Sequence, residues 1–266
     1  MKWYYLDIYG DDEVELLERL ALLELKAVGL PGKGRAHFRV YFSSIREREE
    51  ILSKLKGVYE LLLGEEDDEN WALKVEEGYE PVRAGRFVVV PSTLIPIVVK
   101  PGMAFGTGYH PSTRIALKLI DSEVSEVKGL SIDLGTGSGI LAIALWRKGI
   151  KPLFAIDNDP IALKEAKENL SRNGVVDGVY LLGGDLLSPF KEEVKFNLVV
   201  ANLLLPLFES FLYEIASHMV KGGVFIASGV SLSEREAFLK LLESHSFEVK
   251  SLLEEEGWIG AASILR

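Results

Sequence analysis

Three glycines at alternate positions, Gly135, Gly137 and Gly139, separate the mostly apolar run at 130–134 from the apolar run at 140–144. A strand, a glycine turn and a helix start in that order bring a ligand against bare backbone N–H groups, because no Cβ keeps it away. Twenty-two residues past Gly135, a second apolar segment at 152–156 ends in Asp157. In a doubly wound sheet that strand tip lies beside the first, where a carboxylate can accept hydrogen bonds from both ribose hydroxyls of an adenosine. The chemistry indicated is binding of a nucleoside cofactor.

Two cofactor classes use this geometry. Read from Gly135, the dinucleotide pattern G-x-G-x-x-G fails at Ile140; read from Gly137, its relaxed form survives through Ala142, which leaves nicotinamide and flavin open on the loop alone. Asp133 tips the balance. A carboxylate at the mouth of the loop repels a pyrophosphate but suits a cofactor with an α-amino group and a sulfonium. S-adenosylmethionine has both and no phosphate, and Asp-x-Gly-x-Gly-x-Gly resembles the first motif of class I methyltransferases.

Three further segments refine this. The stretch at 100–113 holds three glycines and Phe105 and Thr107, a tight loop able to fold over a ligand. Thr113 follows in the first turn of a helix, where its hydroxyl reaches the site or caps that helix. His110, a single His before a proline, is read as structural. Asn202 stands at the tip of a strand at 196–201, where ligands of open α/β sheets bind; the alternative is a cap for the helix starting near Pro206. Amine methyltransferases often carry Asn/Asp-Pro-Pro-Tyr/Phe here. Leu203, Leu204 and Leu205 replace the other three residues, which points to a flexible aliphatic amine rather than a flat substrate. Asp185, after Gly183-Gly184, is placed at the adenine amino group, the alternative being a loop aspartate bonded to its own backbone.

The elements that must position these residues alternate strand and helix after residue 100. Strands are expected near 129–134, 152–156, 178–182, 196–201, 222–228, 246–253 and 258–265, with helices near 111–121, 138–148, 160–172, 206–218 and 233–244. That order predicts a mostly parallel, doubly wound sheet. Only Glu254-Glu255-Glu256-Gly257 separates the last two strands, so they must pair antiparallel. Ahead of this, a strand at 2–9, helix at 12–25, strands at 26–30 and 35–42 joined by a turn at 31–34, a helix at 44–56 and a strand at 58–63 give the β-α-β-β-α-β order of a ferredoxin-like unit. Its expected core is Leu6, Leu16, Leu20, Leu23, Phe38, Val40, Leu52 and Leu55. The organisation expected is a ferredoxin-like substrate-recognition domain at 1–64, a linker at 65–99 and a methyltransferase domain at 100–266. The acidic run at 65–69 is expected to be solvated.

Composition narrows the classes. The 266 residues include no cysteine, which excludes thiolate catalysis, zinc–thiolate sites and disulfides. Net charge is −10, and residues 65–99 hold 8 acidic against 3 basic side chains. That balance opposes a broad grip on phosphate backbones, so no stable nucleic-acid binding is expected. The charged start and the proline-interrupted apolar stretch at 87–99 are read as neither signal peptide nor membrane span. A cytoplasmic monomer without membrane contact is expected. The absence of glutamine points weakly to a thermophilic source.

Residues 70–266 resemble the PrmA family, the methyltransferases of large-subunit ribosomal protein L11. The carrying signature is Pro101-Gly102-Met103-Ala104-Phe105-Gly106-Thr107-Gly108-x-His110-Pro111-x-Thr113, followed by Gly135-x-Gly137-Ser138-Gly139-Ile140-Leu141-Ala142, Asp157-x-Asp159-Pro160 and Ala201-Asn202. Tyr109 departs from the smaller or polar residue often found there, and the N-terminal domain and linker are short for the family. The resemblance implies methyl transfer from S-adenosylmethionine, with S-adenosylhomocysteine as product and no metal. The acceptors implied are lysine ε-amino groups and an N-terminal α-amino group of the ribosomal protein, free or on the ribosome. It places Thr113, Gly135, Asp157 and Asn202 at the cofactor, with Asn202 orienting the amine and no dedicated base. Methylation of another amine (an RNA base or small molecule), a nicotinamide-dependent oxidoreductase and a non-catalytic cofactor-sensing protein remain the alternatives.

Overall fold

The computed structural model describes residues 2–30, 35–67, 81–100, 102 and 105–266. The turn expected at 31–34 and the acidic residues at 68–69 lie outside these. The chain forms two compact units, Met1–Pro96 and Ile97–Arg266.

The first unit contains β1 (Lys2–Gly10), α1 (Glu13–Leu22), β2 (Ala27–Gly29), β3 (Ala36–Phe42), α2 (Ile45–Leu55) and β4 (Glu60–Asp67). Alternation in β3 buries Phe38, Val40 and Phe42 and turns His37, Arg39 and Tyr41 to the other face. The strands pair antiparallel in the order β2-β3-β1-β4. Leu6, Ile8, Leu16, Leu20, Phe38, Val40, Phe42 and Leu55 form the core, with Leu23 and Leu52 only partly buried against it. Asp12 caps α1 and Ser44 caps α2 through backbone N–H groups.

One expectation for this unit is corrected. The acidic run does not begin as a solvated linker, because β1 extends back to Lys2 and its ladder recruits residues 65–67 into β4. Lys2 pairs with Glu65 at 2.8 Å, and Glu66 is buried beside Arg39 at 3.1 Å. The stretch expected as a linker also holds a small hairpin, β5 (Val82–Ala84) with β6 (Phe87–Val89).

The second unit runs α3 (Pro111–Glu123), β7 (Ser131–Leu134), α4 (Ile140–Arg147), β8 (Leu153–Asp157), α5 (Pro160–Arg172), β9 (Val179–Gly183), β10 (Phe196–Asn202), α6 (Leu205–Ser217), β11 (Met219–Ser231), α7 (Arg235–Ser244), β12 (Phe247–Glu255) and β13 (Trp258–Leu265). Its sheet has seven strands in the order β12-β13-β11-β10-β7-β8-β9. All neighbours are parallel except β13, which inserts antiparallel between β11 and β12. This is the mostly parallel, doubly wound α/β sheet expected from the order of elements, with an antiparallel pair at one edge. Phe208 and Leu212 of α6 and Phe238 and Leu242 of α7 cover one face. Ile115 and Leu119 of α3 and Leu141 and Leu145 of α4 cover the other. Strand order reverses between β7 and β10, so the crevice beyond their carboxyl ends is where a ligand belongs.

Candidate active site

The glycine turn leaves β7 at that crevice. Gly135, Gly137 and Gly139 all have positive φ, at 69°, 54° and 82°. The turn is bonded to its neighbours: the Thr136 N–H donates to the Ile156 carbonyl at 2.8 Å, and the Gly137 N–H to the Asp157 carboxylate at 2.8 Å. The other Asp157 oxygen accepts the Asp159 N–H at 3.0 Å. Each carboxylate oxygen retains a further acceptor position for a ligand hydroxyl. A Cβ at Gly137 would sit 2.6 Å from the Phe105 carbonyl oxygen, and one at Gly135 would sit 2.8 Å from the Leu203 side chain. At Gly137 the obstacle is backbone and only glycine fits, whereas at Gly135 the leucine tip can shift and it is the positive φ that favours glycine.

A cavity of about 470 Å³ opens over this turn. Gly135, Gly137, Asp157, Asp159, Gly184 and Asp185 line it together with Asn202, and its apolar lining comes from Phe105, Leu203, Leu204, Leu207 and Trp258. Three carboxylates and no lysine or arginine stand among the described lining residues. This charge balance disfavours a pyrophosphate and favours a cofactor with cationic groups.

Asn202 ends β10 and lines the cavity. Its Nδ2 donates to Thr113 Oγ1 at 3.4 Å, while its Oδ1 is buried without a hydrogen-bond partner among the described residues. A buried acceptor of this kind calls for a ligand donor. The helix-cap alternative fails, since α6 is preceded by Leu204 with no side-chain cap. Gly229 makes the site feasible: with φ at 91°, its missing Cβ would lie 2.7 Å from Asn202 Oδ1 and 2.6 Å from the Leu203 carbonyl oxygen.

His110 also lines the cavity, and it caps α3 by accepting the Ser112 N–H at its Nδ1. Its ring meets Phe105 and Trp258 edge-on, with centroids 5.1 Å and 4.5 Å away. Arg114 secures both ends of this aromatic group. It donates to the Tyr109 carbonyl and pairs with Glu255 and Glu256, the turn that delivers Trp258.

Several expected contacts are placed elsewhere. Asp133 is not at the mouth of the loop: it is fully buried in β7, and Thr136 Oγ1 donates to it at 2.7 Å. Burial pushes its carboxyl up to about 7, opposed by the Thr136 hydrogen bond. Gly139 serves packing, since its Cβ would meet Ala166 at 3.2 Å and it is absent from the cavity wall. Thr113 is buried behind Asn202 rather than lining the cavity, and the capping role belongs to His110. Thr107 does not reach the lining either. Asp185 does, and its backbone N–H is held by Ser188 Oγ at 3.1 Å. Trp258, Gly229, Leu207 and Leu186 are lining residues that the sequence reading missed. Only Gly229, a glycine inside an apolar strand, carried a visible signal.

The family model for ribosomal protein L11 methyltransferase (PrmA) matches residues 27–263. The chain belongs to the PrmA family. A relative from Staphylococcus haemolyticus, named ribosomal protein L11 methyltransferase, is 32% identical over 262 residues, covering 90% of this chain and 82% of its own. One of the same name from Carboxydothermus hydrogenoformans is 34% identical over 241 residues, covering 84% and 78%. The crystal structure of a ribosomal protein L11 methylase from Lactobacillus delbrueckii subsp. bulgaricus aligns with a TM-score of 0.59 at 28% identity, over 71% of this chain and all of that one.

Proposed function

We propose that this cavity binds S-adenosylmethionine and that the chain methylates lysine ε-amino groups and the N-terminal α-amino group of ribosomal protein L11. Family membership supports the reaction class and the substrate protein. The observation that carries the cofactor reading is the cavity's lining, a glycine turn with three carboxylates and, among the described residues, no lysine or arginine. Asp157 would hold the ribose hydroxyls and Asp185 the adenine amino group. When bound, the cofactor supplies an electrophilic methyl group together with its own leaving group.

The chain's part is alignment. Asn202 Oδ1, which has no partner among the described residues, would accept an N–H bond from an amine and turn its lone pair along the reaction axis. A lysine ammonium, with a free pKa near ~10.4, must first lose a proton. Burial among Phe105, Leu204 and Leu207 favours the neutral amine by desolvation, so no general base is assigned. An aliphatic lip in place of an aromatic one suits a flexible alkyl amine rather than a base or flat amide. We read the first unit as a ferredoxin-like substrate-recognition domain, a reading that the strand order β2-β3-β1-β4 with two helices supports.

Calorimetry tests the cofactor assignment. S-adenosylmethionine is expected to bind one per chain, and Asp157→Ala to weaken it by about 1.5–3 kcal/mol through lost charged hydrogen bonds. Unchanged affinity removes Asp157 from the site. Tighter binding of NADH than of S-adenosylmethionine returns the oxidoreductase alternative.

A further inference from the structure

We infer that Asn169 is a positioning residue for the cavity, tying the glycine turn to the chain segment at 98–100 and, through Ser138, to the wall at Phe105. This inference rests on the cavity being the cofactor site. One face of α5 looks onto the turn, with Ala162 lining the cavity, Ala166 against Gly139, then Asn169 one turn on, and Asn173 at the C-cap just past the helix end. Both asparagines are buried. Asn169 lies inside the helix, where Asn is a poor residue because its side chain competes for backbone groups, so its place on a buried stripe requires a reason.

Asn169 uses its amide in both directions. Its Nδ2 donates to the Ser138 carbonyl at 2.9 Å, and its Oδ1 accepts the Lys100 N–H at 2.9 Å. Ser138 in turn donates its N–H to the Phe105 carbonyl at 2.9 Å and its hydroxyl to the Gly106 carbonyl. Turn, cavity wall and entering chain therefore meet at one side chain. Asn173 provides a comparison: its Oδ1 accepts the Val98 N–H at 2.8 Å and its Nδ2 donates to the Val98 carbonyl at 2.7 Å. It anchors the same segment without a bond to the glycine turn. If anchoring the segment were the only task, the two residues would be equivalent. The bond to Ser138 gives Asn169 a separate effect on the wall that closes over the turn.

The test compares Asn169→Asp and Asn173→Asp in the full-length chain. Asp keeps the acceptor and loses the donor, setting a carboxylate oxygen against the Ser138 carbonyl at 169 and against the Val98 and Asn169 carbonyls at 173. Both variants are expected to melt at lower temperature, but only Asn169→Asp loses about tenfold in calorimetric affinity for S-adenosylhomocysteine, the effect of one buried hydrogen bond. Hydrogen exchange should rise at the Ser138 amide in that variant alone. If Asn169→Asp does not fold, Asn169→Ala takes its place in both measurements. Equal affinity of wild type and the Asn169 variant, or an equal loss in both variants, overturns the inference. A wild type that binds no S-adenosylhomocysteine overturns the cofactor reading instead, and exchange at Ser138 then decides the positioning role by itself.

Discussion

The position of Asp157 and Asn202 on the cavity wall was legible because each ends an apolar strand, and strand tips at a switch point open onto the crevice whatever the surrounding loops do. Asp133 was misplaced for a related reason. Alternation and motif give its position in the chain, but not the depth to which the neighbouring strands and the turn bury it. That burial has a consequence for stability. The folded carboxyl titrates near 7 and the unfolded one near the ordinary ~3.9, so the folded state binds the extra proton between these values. The group's stabilising effect is complete below the unfolded value and is lost as pH rises through about 7. Asp133→Asn keeps an acceptor for Thr136 and does not titrate. The difference in unfolding free energy between wild type and this variant should therefore shift against wild type from pH 4 to pH 8, by on the order of 4 kcal/mol at most. Denaturant melts across that range check it, and a difference independent of pH contradicts it.

The order of strands and helices was readable from periodicity, and the short turn at 254–257 forced the antiparallel pairing of β12 and β13. Less accessible was the insertion of β13 between β11 and β12, which depends on contacts between residues far apart in sequence. That insertion carries Trp258 to the cavity, so a lining residue at the end of the chain gave no local signal. Asn169 in α5 and Asn173 at its C-cap stood in plain view as polar residues, but their partners at 98–100 are distant in sequence. At α3, the cap and the aromatic group both rest on His110. His110→Ala should destabilise by about 1 kcal/mol through the lost cap, a fall of about 2–4 °C in melting temperature. Single-turnover methyl transfer at saturating cofactor should stay within about threefold, since the ring is assigned no proton transfer. A collapse of that rate in a variant that still folds would make His110 the missing base.

At the scale of the whole molecule, the division into two units puts every cavity-lining residue after Ile97. A fragment starting at Ile97 is expected to bind S-adenosylmethionine with near wild-type affinity and to lose methylation of intact ribosomal protein L11. On the proposed reading the first unit docks the substrate, the docking energy holds the reacting amine in line, and that contribution disappears with the unit. Equal activity of fragment and full-length chain would move recognition into the second unit. The most direct measurement is mass spectrometry of purified ribosomal protein L11 after incubation with the full-length chain and S-adenosylmethionine, alongside Asn202→Ala. The prediction is methyl increments on lysine side chains and the N-terminus, with Asn202→Ala slowing them about 100-fold while its cofactor affinity changes by less than about threefold, because orientation is realised mainly in the transition state. Ribosomal protein L11 left unmodified under conditions where the chain binds the cofactor, or an Asn202→Ala variant with undiminished turnover, would contradict it.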